Sequence, residues 1–162
     1  MSAAQGKALK TSIDLLGSGV RYLGSLELAS TAEATITFTD KPNETTTITL
    51  VDSDGTSVIF EVDNENNGVT GGNIALNGIA AAGGGATGTA ADLTAKVNAQ
   101  GALDIEATNP SAGVIKLRQL TGGTAGNTSI SYSDSSNWGS STSGTLPTAF
   151  EGGAAGTSFP AS

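Results

Sequence analysis

The stretch Thr45-Thr-Thr-Ile-Thr-Leu-Val-Asp-Ser-Asp-Gly-Thr-Ser-Val-Ile-Phe-Glu-Val62 decides the fold. Ile48 and Leu50 alternate with threonines, and Val58, Phe60 and Val62 share a second alternating face. A period of two belongs to strands, because successive side chains leave opposite faces. Between the two runs lies Asp52-Ser-Asp-Gly55, and Asp-Gly supplies the backbone freedom of a tight hairpin turn. The reading is an antiparallel hairpin of residues 45–51 with residues 57–62, one face in a core and a threonine-rich face in water.

Working outward, residues 34–39 (Ala-Thr-Ile-Thr-Phe-Thr) repeat the alternation, with Ala34, Ile36 and Phe38 inward. Residues 73–76 read as a short strand, and the glycine-rich residues 78–88 as a mobile loop. Thr89 then opens a helix, with Thr89 as cap and Asp92 three residues on as in a capping box. Its apolar stripe is Ala90, Leu93 and Val97, and Gly101 closes it. Residues 103–107, 114–120 and 128–132 read as three further strands carrying Ile105, Ile115, Leu117 and Ile130 into the core. Turns fall at Asn109-Pro-Ser-Ala-Gly113 and Thr121-Gly-Gly-Thr-Ala-Gly126. The expected fold is mainly β with one short packed helix: a small antiparallel β-sandwich or a curled sheet, preceded by a helical or extended N-terminal arm.

The organisation follows as an arm over residues 1–30, a β-rich module over 31–153 and a flexible tail over 154–162. In the arm, Leu9, Ile13 and Leu16 recur at helical spacing before Gly17 and Gly19, and Tyr22 and Leu23 follow. Two placements are open: the arm packs on a neighbouring subunit or a shell, or it covers the domain's own sheet. With Trp138, the single tryptophan, Leu9, Ile13, Leu16, Tyr22 and Leu23 are the candidate partner-binding residues. Trp138 has the same choice between anchoring a partner and folding back over the core edge, as do Phe150 and Phe159.

Composition narrows the function. With 162 residues and 37 % hydrophobic residues, the chain supports one thin-cored domain. It has no cysteine and no histidine, which removes disulfides, thiol and imidazole catalysis, and the commonest zinc ligands. The formal charge of −8 opposes binding to nucleic acid, which needs a basic face. No apolar run is long enough to span a bilayer, and the N-terminus lacks the unbroken apolar segment of a secretory signal. The expectation is a non-enzymatic protein without cofactor, nucleic-acid partner or membrane.

Asp52, Asp54 and Gly55 match the start of a calcium loop, but the remaining acidic ligands are missing and a hairpin turn accounts for them. Asp63 and Glu65, in an Asp-Asn-Glu-Asn cluster beyond a strand end, are the calcium candidates, against a plain solvated loop. Paired carboxylates can cleave glycans, yet an aromatic share of 4 % gives little sugar platform. Gly83-Gly-Gly85 lacks the Lys-Ser/Thr of a phosphate loop.

The ordered series Ile48-Thr-Leu-Val-Asp-Ser-Asp-Gly-Thr-Ser-Val-Ile-Phe-Glu-Val62, Thr89-Ala-Ala-Asp-Leu-Thr-Ala-Lys-Val-Asn-Ala99, Leu103-Asp-Ile-Glu-Ala-Thr108, Val114-Ile-Lys-Leu-Arg-Gln-Leu120, Thr121-Gly-Gly-Thr-Ala-Gly-Asn-Thr-Ser-Ile130 and Phe150-Glu-Gly-Gly153 resembles a module. That module recurs in predicted structural proteins of tailed bacteriophages, notably marine ones. The resemblance covers roughly residues 35–153. It implies a virion component, and a nearly solitary module behind an arm implies a small capsid decoration (cement) protein on the outer capsid surface. The implied partner is the major capsid protein, with self-association expected, preferably as a trimer. A head-fibre or tail-fibre receptor-binding module, a tail-tube or neck component, and a bacterial cell-surface adhesion module are the alternatives.

Overall fold

The computed structural model describes residues 27–138 and 145–157. Among these residues seven strands form two sheets: β1 (Thr31–Thr37), β6 (Val114–Gly122) and β5 (Ile105–Ser111) in one, and β4 (Ile74–Leu76), β3 (Ser57–Val62), β2 (Thr47–Val51) and β7 (Ile130–Tyr132) in the other. The helix α1 (Gly85–Asn98) packs on β5, β6 and β4. A single helical turn, α2 (Ser135–Trp138), follows β7. The fold is thus mainly β with one packed helix, as the alternation predicts.

The β2–β3 hairpin is where the sequence puts it, with Leu50 opposite Val58 and Ile48 opposite Phe60. The turn needs Gly55 at φ 87°, a left-handed conformation that costs a residue with a Cβ. Residues 45 and 46 fall outside β2 because Thr45 adopts φ 63° and breaks the regular pleat. The inward faces of both sheets meet in one core: Ala32, Ala34, Ile36, Ile105, Ile115 and Leu117 from the first sheet, Ile48, Leu50, Phe60, Leu76 and Ile130 from the second. Full burial of each large aliphatic side chain contributes about 1.5–3 kcal/mol. The helix stripe Ala90, Leu93 and Val97 closes one side of this core.

Four details differ from the sequence reading. The helix starts at Gly85, inside the predicted loop, with Gly84 as its N-cap. No capping box forms. Thr89 is internal and donates to the Gly85 carbonyl at 2.8 Å, while the Asp92 carboxylate accepts the Gly78 N–H at 2.9 Å. The cause is a close approach that propensity does not see: a Cβ on Gly88 would lie 2.0 Å from the Ile79 carbonyl oxygen. Second, β4 pairs with β3 in parallel, Glu61 opposite Ala75, because residues 63–73 cross over and return in the same direction. Third, β5 continues through Pro110 to Ser111, so the following turn shrinks to the connection between Ser111 and Val114.

Fourth, residues 145–157, in which the sequence shows no strand, run as a strap along the two sheets. Thr145, Glu151 and Ala154 bridge to Thr37, Glu33 and Ser30 along β1, and Ala149 bridges to Ser129 beside β7. One segment therefore covers edges of both sheets, and its Phe150 lies fully buried in the core. The order persists beyond residue 153, as Thr157 N–H donates to the Glu27 carbonyl at 3.0 Å. On the other side, the Asn98 side chain occupies the β5 edge like a short strand, exchanging two 2.9 Å hydrogen bonds with the Ala107 backbone.

Candidate functional site

The polar residues that the sequence offers for chemistry are drawn inward as loop holders. Asp52 is 1 % exposed at the end of β2. One carboxylate oxygen accepts the N–H groups of Asp54 and Thr56 at 3.0 and 2.8 Å, and the other accepts the Asp104 N–H at 3.0 Å. Burial pushes this carboxyl up, but the three N–H donors outweigh it and hold it below the usual aspartate value. Glu61 repeats the arrangement on β3, accepting the Thr70 N–H at 3.0 Å and the Asn73 side-chain amide. Burial again opposes ionisation, and these two donors bring the carboxyl below the usual glutamate value.

Gln119 joins the two sheets. It points inward from β6 with no solvent exposure, accepts the Ser53 N–H at 3.0 Å, and donates to the Val51 carbonyl and Thr128 hydroxyl at 3.0 Å each. A buried amide with three partners in two other segments fixes the offset of one sheet on the other. The sequence carries a signal for this residue, since the period of two puts Gln119 on the same face as Ile115 and Leu117. Glu61 carries no such signal. It belongs to the outer face of β3 and is buried by the loop that folds over it.

Asp63 and Glu65, the calcium candidates, do not share a ligand set. Asp63 is buried and accepts the N–H groups of Asn67 and Gly68 at 2.9 and 3.3 Å, whereas Glu65 is exposed and reaches the Asn67 amide at 3.4 Å. Among the described residues no three acidic side chains converge as a metal-holding group. Asp52 and Asp54 likewise serve the hairpin turn. The outer face of the first sheet carries a charge ladder instead, with Lys116 2.7 Å from Glu33 and Arg118 paired with Glu106. All four side chains are well exposed, so each pair contributes about 0–1 kcal/mol.

Trp138 takes the inward of its two expected placements. It is fully buried, with ring centroids 6.1 Å from Phe38 and 6.0 Å from Tyr132. Phe150 is also internal. Tyr132 donates its hydroxyl to the Pro147 carbonyl at 3.2 Å, and burial pushes its phenol well above the ordinary value. Leu9, Ile13, Leu16, Tyr22, Leu23 and Phe159 lie outside the described residues. No helix among the described residues is long and apolar enough to cross a membrane.

Two motif pieces that stand apart in the sequence meet in space. The Asn127 side chain donates to the Gly153 carbonyl and accepts the Gly153 N–H, both at 2.9 Å. Position 153 has no room for a side chain, because a Cβ there would sit 2.4 Å from the Gly123 carbonyl oxygen. No family model, no curated protein and no solved structure matches this chain.

Proposed function

We propose that this chain is a structural virion protein of a tailed phage, a decoration protein that binds the outer capsid surface and stabilises the shell. The observation that supports the reading best is the use of the buried carboxylates. Asp52, Glu61, Asp63 and Asp92 each hold backbone N–H groups of a loop, and Gln119 and Asn127 tie separate segments together. This makes a thin-cored domain stiff without any cysteine, and stiffness is what a load-bearing clamp requires. The strap and the Asn98 amide cover the β1, β7 and β5 edges, which limits indiscriminate pairing between crowded copies at those edges.

In this reading Leu9, Ile13 and Leu16 supply the apolar contact with the major capsid protein. Each copy adds a few kcal/mol at about 25 cal/mol per Å² of apolar surface, less the cost of association. The test is co-sedimentation of the protein with mature particles on a density gradient, with its copy number compared with that of the major capsid protein. The decoration role requires a stoichiometry equal to the capsid protein or a simple fraction of it. A few copies per particle would move the chain to a fibre, tail or neck, and none would overturn the virion reading.

A further inference from the structure

The main chain of β3 is paired with β2 along its whole length but with β4 along only part of it. Asp52 N–H donates to the Thr56 carbonyl and Val62 N–H to the Thr46 carbonyl, so the even-numbered residues of β3 aim their main-chain groups at β2. Asp63 N–H donates to the Leu76 carbonyl, which turns the odd-numbered residues to the β4 side. β4 begins only at Ile74, opposite Phe60. Just before it the chain turns away, with Asn73 N–H donating to the Thr70 carbonyl at 3.0 Å. The main-chain groups of Ser57 and the N–H of Ile59 therefore face an open notch of about 360 Å³, flanked by Gly72, Ile74 and Gln100. Ile59 is among the few large apolar side chains exposed in the described residues, at 38 %. Unpaired strand groups beside an exposed β-branched side chain form a template for an added strand.

The chain itself contains a fitting strand. Residues 1–26 carry Lys7, Lys10 and Arg21 against Asp14, a formal charge of +2, so the total of −8 leaves −10 on the remainder. None of the residues lining the notch is cationic, and Asp54 stands exposed in the adjoining turn. Residues 20–23 (Val-Arg-Tyr-Leu) combine β-branched and aromatic side chains with one of these cations. Reach decides whose notch they fill. Glu27 N–H donates to Thr157 Oγ1 at 2.7 Å, beside the strap on the β1 edge, whereas the notch lies on the far edge of the other sheet. From residue 23 to residue 27 the chain spans about 14 Å at most. The second sheet alone is about 14 Å wide, and the stacking of two sheets adds about 10 Å.

We infer that residues 20–23 of one copy add as a strand to residues 57–59 of the next, joining copies head to tail. Such a heterologous contact closes into a ring when its rotation permits. It stands independently of any capsid partner and leaves Leu9, Ile13 and Leu16 free for one.

The experiment uses the full-length protein in solution. Sedimentation equilibrium gives its association constant, and amide hydrogen exchange read by NMR gives the protection of Ser57 and Ile59 across a concentration series. Association with rising protection of these two amides is the expected result. Ile59→Glu in the notch, and separately the pair Val20→Pro and Tyr22→Pro, which lie outside the described domain, should each weaken association at least about tenfold. Association that both variants leave intact would overturn the inference, as would a monomer at every concentration. Protection of Ser57 and Ile59 in a monomer would place the strand on its own chain and equally overturn exchange between copies.

Discussion

Asn127 and Gly153 hold each other by two reciprocal hydrogen bonds of 2.9 Å, side-chain amide to backbone, across 26 positions of chain. The pair clamps the strap where it passes the turn after β6. Asn127→Ala leaves the strap's N–H and carbonyl without partners and should cost about 1–3 kcal/mol in urea unfolding. Asn127→Asp, which replaces the donor by an acceptor facing the Gly153 carbonyl, should cost at least as much. Equal stability of all three proteins would show that the clamp contributes nothing.

Asp52→Ala removes one acceptor group from three N–H donors in a buried site, and Asp104 among them belongs to a segment 52 positions away. A loss of about 2–4 kcal/mol is expected, with Asp52→Asn retaining part of it. The signature is spatial. Hydrogen exchange should accelerate at Thr56 and Asp104 together, and acceleration at Thr56 alone would mean that the link between hairpin and β5 does not operate.

Two glycine substitutions should diverge. Gly88→Ala drives a Cβ against the Ile79 backbone and should destabilise by about 2–4 kcal/mol through displacement of the helix. Gly101→Ala meets nothing within 4 Å and should be neutral or slightly stabilising, by up to about 1 kcal/mol. Thermal unfolding of both variants beside the parent checks the contrast.

Trp138 reports on the closure of the domain. Its emission should be blue-shifted and resistant to acrylamide in the isolated protein, and should shift red on unfolding together with the far-UV circular dichroism. Phe150→Ala, which empties a fully buried site under the strap, should cost about 3–5 kcal/mol. An emission already red in the native protein would show that the indole lies in water.

Acid should weaken the fold in a defined window. The carboxyls of Asp52 and Glu61 lie below their ordinary values in the folded state, so the native protein binds fewer protons than the unfolded chain. Their contribution is complete above the unfolded value of about 4 and is lost as pH falls below it through the folded values. Urea midpoints should be flat from about pH 5 to 8 and drop below about pH 4, less steeply for Asp52→Asn than for the parent.

The hairpin was legible because alternation and an Asp-Gly turn are local signals that agree. The stripe Ala90, Leu93 and Val97 was legible for the same reason, and all three residues are fully buried. The helix start was not. Residues 85–88 (Gly-Ala-Thr-Gly) have poor helix propensity and are helical because a glycine is what lets α1 pass the Ile79 carbonyl, a constraint set by a different segment. The strap was illegible for a related reason. Its bridges to β1 and β7 are isolated, so it has no period to read, and only Phe150 betrays a buried position. Neither Asp52 in its turn nor Glu61 on the outer face of β3 announces its burial, since a carboxylate that holds a distant loop is identical in sequence to one that holds water. The arm residues Leu9, Ile13, Leu16, Tyr22 and Leu23 lie outside the described residues.

The strap also sets a timetable for synthesis. On the ribosome β2 and β3 can pair as soon as they emerge, but β1 must wait for β6, since Ile36 pairs with Ile115, and its outer edge waits for residues 145–157. The first strand of the described fold is therefore the last of its strands to be enclosed on both edges. Folding dominated by such distant pairings is slow, and the nascent chain exposes the outer edge of β1 until residues 145–157 have emerged.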